Sequence, residues 1–425
     1  AVGWKEGRQG VWMLLAVSNR SRVFLQEKEG LRSFAEVSAW TIDRATGAQA
    51  AEHAWAETTH AATYQESRST ELVLRRYFME VPDGNYDLVV SLRDGSTGKR
   101  LARRQQIEVE ANRFFVASAL VMSKRGSGPL TTLFGNRVAE GVDSVTLSIL
   151  LNTPREGRHC HARVWLTRYP HDTAAAVPPH YFTAPLVSRG YIGVDYTLPD
   201  TVLSDAASET TVGRQTTLRL QFGTLTRGFY RAHVTVQIRR EKNSPRARTI
   251  TLVRDIAVFS PSYPRVETPA DFIGPVAYIG ATKEIDDLRE ASSSGAMMER
   301  LRTFWLTPGR DQTEAGQSMN EFYSRVEEAN RLFSNHKEGW RTDQGMIYIV
   351  HGAPVFVGRD GVDSEIWQYP DRGLTYAFVR ATQAYDHRSL LENYVLIRRG
   401  SIVAPQEWLE AIKTWRGGTI PFGVQ

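Results

Sequence analysis

Two segments of this chain repeat one pattern. "VPDGNYDLVVSLRDGSTGKRLARRQQIEVE" (81–110) and "LTRGFYRAHVTVQIRREKNSPRARTITLVRDIAV" (225–258) each carry a glycine, one residue, a tyrosine, an alternating strand, a basic polar turn and a return strand. Alternation of period two is the mark of a half-buried strand, and a repeated hairpin implies a repeated unit. Gly84 and Gly228 are expected to supply the turn, and Tyr86 and Tyr230 to open each strand facing the core. This is the terminal hairpin expected of an immunoglobulin-like sandwich. Further strand-like stretches, such as "FAEVSAWTID" (34–43), "SVTLSILL" (144–151) and "ARVWLTRY" (162–169), have no helices between them. The expectation is a β-sandwich over 1–112, whose opening strand begins close to residue 11, and a second over 113–260.

The texture changes after the proline-rich "SPSYPRVETPAD" (260–271), read as a linker. "MNEFYSRVEEANRLFSNH" (319–336) places Met319, Phe322, Tyr323, Val326, Ala329 and Phe333 on one helical stripe. "MIYIVH" (346–351), "EIWQYP" (365–370), "LTYAFVR" (374–380) and "NYVLIRR" (393–399) read as strands, and "APQEWLEAIKTW" (404–415) as a closing helix. The predicted fold class is multidomain: two immunoglobulin-like β-sandwiches, then a linker and an α+β domain with a small antiparallel sheet over 261–425.

Composition narrows the function classes. Hydrophobic content of 41% and charged content of 23% describe an ordinary globular chain. No run reaches the ~18 apolar residues of a membrane helix. The single cysteine, Cys160, excludes an intrachain disulfide framework and a cysteine-based zinc site. Net charge is +5, an arginine-led excess spread over the chain and densest in "GKRLARR" (98–104) and "IRREKNSPRAR" (238–248). No nucleic-acid motif accompanies these hairpins, so nucleic acid is not the expected partner; an anionic membrane surface or a polyanionic glycan suits the charge about as well as nucleic acid does. The start, "AVGWKEGRQG", has no signal-peptide anatomy, which fits a cytosolic chain or a mature, trimmed one.

The stretch "EGWRTDQG" (338–345) ties the C-terminal part together. With "FWLTPGRD" (304–311), "NEFYSRVEEANRLFS" (320–334), "IYIVHGAP" (347–354) and "EIWQY" (365–369), it resembles the signature of the GWxTD-domain family of bacterial proteins. The signature positions are Gly339, Trp340, Thr342 and Asp343, with Gly345 beside them. The resemblance spans about 270–420; "LTPGRDQT" departs from the Arg-Asp-Pro run usual there. It implies β-sandwich regions ahead of the domain and export, often as a lipoprotein, in bacteria with an outer membrane. It implies no activity and no cofactor.

Residue chemistry points the same way. Gly339 is expected to end the preceding helix at positive φ, Trp340 to bury its ring, and Thr342 or Asp343 to accept backbone N–H bonds in a turn closing at Gly345. If 343–351 is extended, Asp343 and His351 lie roughly 26 Å apart and share no site. His159 and His161 point to one face of a strand and could chelate a metal, with His171 and His180 on the adjoining excursion; without a third ligand, the reading adopted is exposed strand histidines beside a buried Cys160. His351 and Glu365 are the other candidate ligand or interaction residues. The aromatic set Trp305, Phe322, Tyr323, Phe333, Trp340, Trp367, Tyr369 and Tyr376 could face a sugar, but its periodicity is that of a core. No nucleophile-elbow, zincin or phosphate-loop motif occurs.

The expected function is therefore non-catalytic: an exported envelope protein making protein–protein contacts, with other envelope proteins as partners, as a structural module or accessory subunit of a larger complex. The alternative is a glycan-binding or hydrolytic C-terminal module acting on a cell-wall polymer. That alternative requires carboxylates among Asp311, Asp343, Asp363 and Glu365 to converge in one pocket.

Overall fold

The computed structural model describes residues 2–6, 8–27, 30–67, 69, 72–98, 100–110, 115–127, 131–152, 157–179, 193–212, 215–307, 311–360, 364–381, 393–398 and 405–417. It is mostly β, with several sheets and a helical C-terminal region.

Residues up to 110 form β1 (Val2–Lys5), β2 (Arg8–Ser18), β3 (Leu25–Glu27), β4 (Gly30–Asp43), β5 (Gln49–Ala61), α1 (Tyr64–Ser67), β6 (Leu72–Glu80), β7 (Gly84–Asp94) and β8 (Arg100–Val109). Two sheets result, β1-β2-β6 and β3-β4-β7-β8, with β5 paired to β4. They share one apolar cluster: Val11 and Met13 from β2, Tyr77 and Met79 from β6, Val37 and Ala39 from β4, and Tyr86 and Leu88 from β7.

The next unit contains β9 (Phe115–Lys124), β10 (Thr131–Thr132), β11 (Arg137–Ala139), β12 (Ser144–Asn152), β13 (Arg158–Tyr169), β14 (Thr201–Val212), β15 (Gln215–Gly223), β16 (Gly228–Arg239) and β17 (Ala247–Phe259). Sheets β10-β9-β12-β15 and β11-β17-β16-β13-β14 again face one apolar cluster, which buries Leu147, Ile149, Cys160, Val164, Leu220 and Tyr230. Burial pushes the Cys160 thiol up to about 11, so it stays a neutral core group.

The repeated hairpins are β7–β8 and β16–β17, and their tyrosines are buried. Each closes a local loop with its hydroxyl. Tyr86 donates to the Asp83 carbonyl at 3.1 Å and Tyr230 to the Thr226 carbonyl at 2.7 Å. The excursion after β13 returns onto its own sheet: His171 pairs with Val194, and the Tyr196 hydroxyl donates to Asp255, itself in a buried ion pair with Arg231. The segment 171–177 is thereby held at the edge facing the C-terminal unit.

That unit contains α2 (Pro269–Val276), α3 (Thr282–Arg289), α4 (Ser294–Trp305), α5 (Gln312–Phe333), α6 (Asp343–His351), β18 (Phe356–Asp360), β19 (Ser364–Tyr369), β20 (Leu374–Arg380), β21 (Tyr394–Leu396) and α7 (Pro405–Gly417). The four strands form an antiparallel sheet in chain order. Helix α5 follows the predicted stripe and starts at Asp311, whose carboxylate accepts from Glu314 N–H.

Two expectations are corrected. The run 346–351 is helix α6, not a strand. Every residue from Gln344 to His351 is buried, so the run is apolar all round and carries no period that separates strand from helix. The supposed linker ends in the first turn of α2, with Pro269 opening the helix and Asp271 accepting from Thr268 N–H.

The tyrosine closures yield a prediction. Tyr230→Phe should cost about 1 kcal/mol, and Tyr86→Phe no more, read as lower urea midpoints with unchanged m-values.

Candidate functional site

The segment 334–345 joins α5 to α6, and its local structure follows from small residues and caps. Gly339 begins a short 3-10 turn, Gly339–Arg341. Its role differs from the predicted positive-φ helix stop: a Cβ here would collide with the Ala329 carbonyl on α5. Gly345 is needed for the same reason, since a Cβ there would overlap the Gly339 carbonyl. These two close approaches let α5, the turn and α6 pack backbone to backbone. Thr342 caps α6: its hydroxyl accepts from Gly345 N–H at 3.0 Å and donates to the Gly339 carbonyl at 2.7 Å.

Trp340 is 9% exposed. Its N–H donates to Asn330 and its carbonyl accepts from the Tyr278 hydroxyl at 2.7 Å. The indole N–H donates to Glu338 at 3.1 Å. Glu338 is a hub that sequence reasoning missed. It is buried, yet it also receives Arg341 from its own turn and Arg227 from the second β unit. Asp343 accepts from Leu396 N–H at 2.9 Å and from Arg398 at 2.7 Å, fastening α6 to β21. Arg398 donates in turn to the Val177 carbonyl.

The same turn holds the excursion of the second β unit along its length. Lys337 donates to the Asp172 carboxylate at 2.8 Å and to the Ala174 carbonyl at 2.9 Å. Arg341 donates to the Thr173 carbonyl, and its own carbonyl accepts from Ala176 N–H. Burial works against ionised Asp172, but the Lys337 ammonium outweighs it and keeps the carboxyl below its usual range. Elsewhere Arg137 donates to the Arg331 carbonyl and the Tyr263 hydroxyl to the Asn330 carbonyl. The first β unit reaches the same helix, with Arg20 pairing Glu321 at 2.7 Å and Glu328 at 3.4 Å. The far end of α5 and the turn after it are thus a joint where all three units meet.

The remaining candidates lie elsewhere. Glu365 is buried on β19 and receives Gln344 at 3.0 Å and the Trp367 indole at 2.7 Å. Glu365 and Leu396 both pair with Phe378, so two strand spacings, roughly 10 Å, separate Glu365 from the backbone that binds Asp343. Asp311 is occupied as the α5 cap, and Asp363 lies outside the described residues. His351 is a core residue at the end of α6, its Nε2 2.7 Å from the Tyr376 hydroxyl. A helical path puts it only ~12 Å from Asp343, not the distance expected of a strand, but the two bind different partners. Burial, with Arg372 and Arg325 nearby, lowers its pKa to about 3. His159 and His161 share the outer face of β13, flanking buried Cys160; His180 lies outside the described residues. Among the described residues no three His, Cys, Asp or Glu side chains group as metal ligands. The aromatics named for a sugar face pack mainly on each other, as in Trp305–Phe322 and Trp367–Phe378.

Residues 243–417 match the GWxTD domain family, so the C-terminal part of the chain is a GWxTD domain. The match begins in the β16–β17 hairpin and takes in β17. No curated protein matches the chain. Among solved structures, a transglutaminase from red sea bream is similar at 8% identity and a TM-score of 0.16, covering 61% of this chain and 31% of that one. The chain thus spans under a third of that protein, and overlap so slight carries no argument.

Three outcomes are expected. Gly345→Ala should cost about 3 kcal/mol or more, because the obstructing atom is backbone; Thr342→Val should cost about 1–2 kcal/mol, and Thr342→Ser much less, all by denaturant melts. His336, buried beside Lys337 and His171, is lowered by burial first to about 3. The unfolded chain binds a proton near the ordinary value of 6.5 while folded His336 and His351 do not, so their contribution is complete above 6.5 and is lost as pH falls. Between pH 6.5 and 5, His351→Gln should flatten stability against pH by up to about 1.4 kcal/mol per unit.

Proposed function

We propose that the chain is a non-catalytic, exported bacterial envelope protein, a structural and protein-interaction module in which two immunoglobulin-like sandwiches and the GWxTD domain form one rigid body. The observation that carries this reading is the use made of the signature turn. Its polar groups bond to the chain itself: Thr342 to Gly339 and Gly345, Asp343 to Leu396 and Arg398, and Glu338 to Trp340, Arg341 and Arg227. A turn built this way couples units. The described carboxylates of the hydrolytic alternative are each engaged in a different place, which favours the coupling reading over it.

Facing sheets around one core in each β unit, with a tyrosine hydroxyl closing back on the loop before its strand, support the immunoglobulin-like assignment. Export and the envelope setting rest on the family resemblance. No described helix is long and apolar enough to cross a membrane. Other envelope proteins are the proposed partners, with the protein as an accessory subunit of a membrane or surface complex. The Arg-rich hairpins offer an anionic membrane a second contact.

Purification from native membranes tests the role. A stable, stoichiometric complex is the expected result; a lone monomer would remove the assembly reading. Rigidity is tested separately. Lys337→Ala with Arg341→Ala should cut the strap at 172–176, raising backbone exchange there and broadening the small-angle scattering distance distribution. An unchanged distribution would mean that the strap does not hold the units together.

A further inference from the structure

Two histidines sit inside the joint, one from each side of it. His336 belongs to the turn after α5 and is 5% exposed. Its Nε2 is buried and has no hydrogen-bond partner among the described residues. His171 opens the strap that the second β unit lays along the turn. It is half-buried, with its Nδ1 3.4 Å from the Tyr169 carbonyl and its ring 6.1 Å from that of Phe229.

The charges around this pair leave no place for a further cation. Those acting on His336 are Lys337 from its own turn, and His171 and Asp172 from the strap. Those acting on His171 are Arg168 from β13, Asp172 beside it and Arg227 from the loop before β16. The nearby carboxylates are engaged already. Asp172 accepts from Lys337 and from Ala174 N–H, and Glu338 from Trp340, Arg341 and Arg227. Burial is the largest influence on both imidazoles and favours their neutral forms. A proton on either would place a poorly solvated positive charge where Lys337 and Arg341 hold the strap.

Position decides how that charge is relieved. His351 lies within the core of the C-terminal unit, against Tyr376 and Trp408, so only unfolding of that core would hydrate it. His336 and His171 lie across a boundary between units. Thr173, Ala174 and Ala175 are exposed, and the strap is tied to the turn by hydrogen bonds: Lys337 to Asp172 and Ala174, Arg341 to Thr173, and Ala176 to Arg341. Lifting the strap would hydrate both imidazoles and leave each core intact.

We propose that mild acid opens this joint: protonation of His336 and His171 releases residues 172–176 from the turn while the units on either side stay folded. The strap is an acid-operated latch, and this rests on the reading of the turn as a coupling joint. Linkage gives the sign. A released histidine takes up its proton near 6.5, whereas in the closed joint His336 is lowered to about 3 and His171 is lowered too. Closure is therefore complete above 6.5 and weakens as pH falls, by up to about tenfold per pH unit for each histidine. Asp172, held below the usual carboxylate range by Lys337 against its own burial, adds no slope in this window.

The test is amide hydrogen exchange on the whole chain at pH 7.5 and 5.5, corrected for the intrinsic pH dependence of exchange. The Ala176 amide, bonded across the boundary to the Arg341 carbonyl, reports the latch, and amides of β13 and α5 report the two cores. Opening at Ala176 should rise about tenfold from His336 alone and up to about a hundredfold from both histidines, with the core amides unchanged. His336→Asn should remove about tenfold of that rise, and His336→Asn with His171→Phe nearly all of it. His351→Gln should leave it in place. Protection of Ala176 that is equal at the two pH values overturns the latch and keeps the coupling joint. Fast exchange of Ala176 already at pH 7.5 removes the joint itself. Core amides that accelerate together with Ala176 overturn the latch in favour of general acid unfolding, and an undiminished rise in the double variant overturns the assignment to these histidines.

Discussion

The contact between the Gly339 carbonyl and the backbone of Gly345 is the constraint on which the C-terminal architecture depends. Neither glycine is required by its own φ. Each is required because another stretch of backbone occupies the place of its Cβ. The approach aims the Gly339 carbonyl at Thr342, whose N–H and hydroxyl both donate to it. That fixes the first turn of α6 and sends an apolar helix into the core between α5 and the small sheet. Helix propensity for "MIYIVH" is modest, and the cap and surrounding core decide its state.

The joint also shows how buried charge is organised by partners from several segments. Glu338 and Asp343 would be costly to bury alone. Each is surrounded by donors, and those donors come from different parts of the chain: Arg227 from the second β unit, Arg341 from the turn, and Arg398 from beyond β21. Removing one partner would leave a buried charge exposed to the full desolvation cost, so the pairs specify geometry more than they add stability. Arg20 does the same for the first β unit at Glu321 and Glu328.

Much of this was legible in the sequence. The hairpin repeat showed where β7–β8 and β16–β17 lie, because one buried face leaves a period of two. The stripe from Met319 to Phe333 showed α5 for the corresponding reason at period 3.6. Trp340, Thr342 and Asp343 were expected to act as anchor and caps, and the structure places them in a turn, although Asp343 reaches across to β21 instead of closing the turn locally. Strand β18 gave little signal, being five residues long with a central glycine. Glu338 could have been noticed as an acid directly before a buried glycine and tryptophan, with Arg341 three residues on. Arg227, 111 positions away, could not.

The sequence by itself determined the β-rich beginning, the change to helices after residue 260, the amphipathic α5 and the identity of the signature turn. These depend on neighbours within a few residues, where periodicity, capping and turn chemistry are local. Only the tertiary structure decided that 343–351 is a helix, that the glycines serve close packing, and that α5 and the turn after it join three units. Those outcomes depend on which backbone and charged groups from distant segments fill the same space, and a one-dimensional pattern carries no record of that contact.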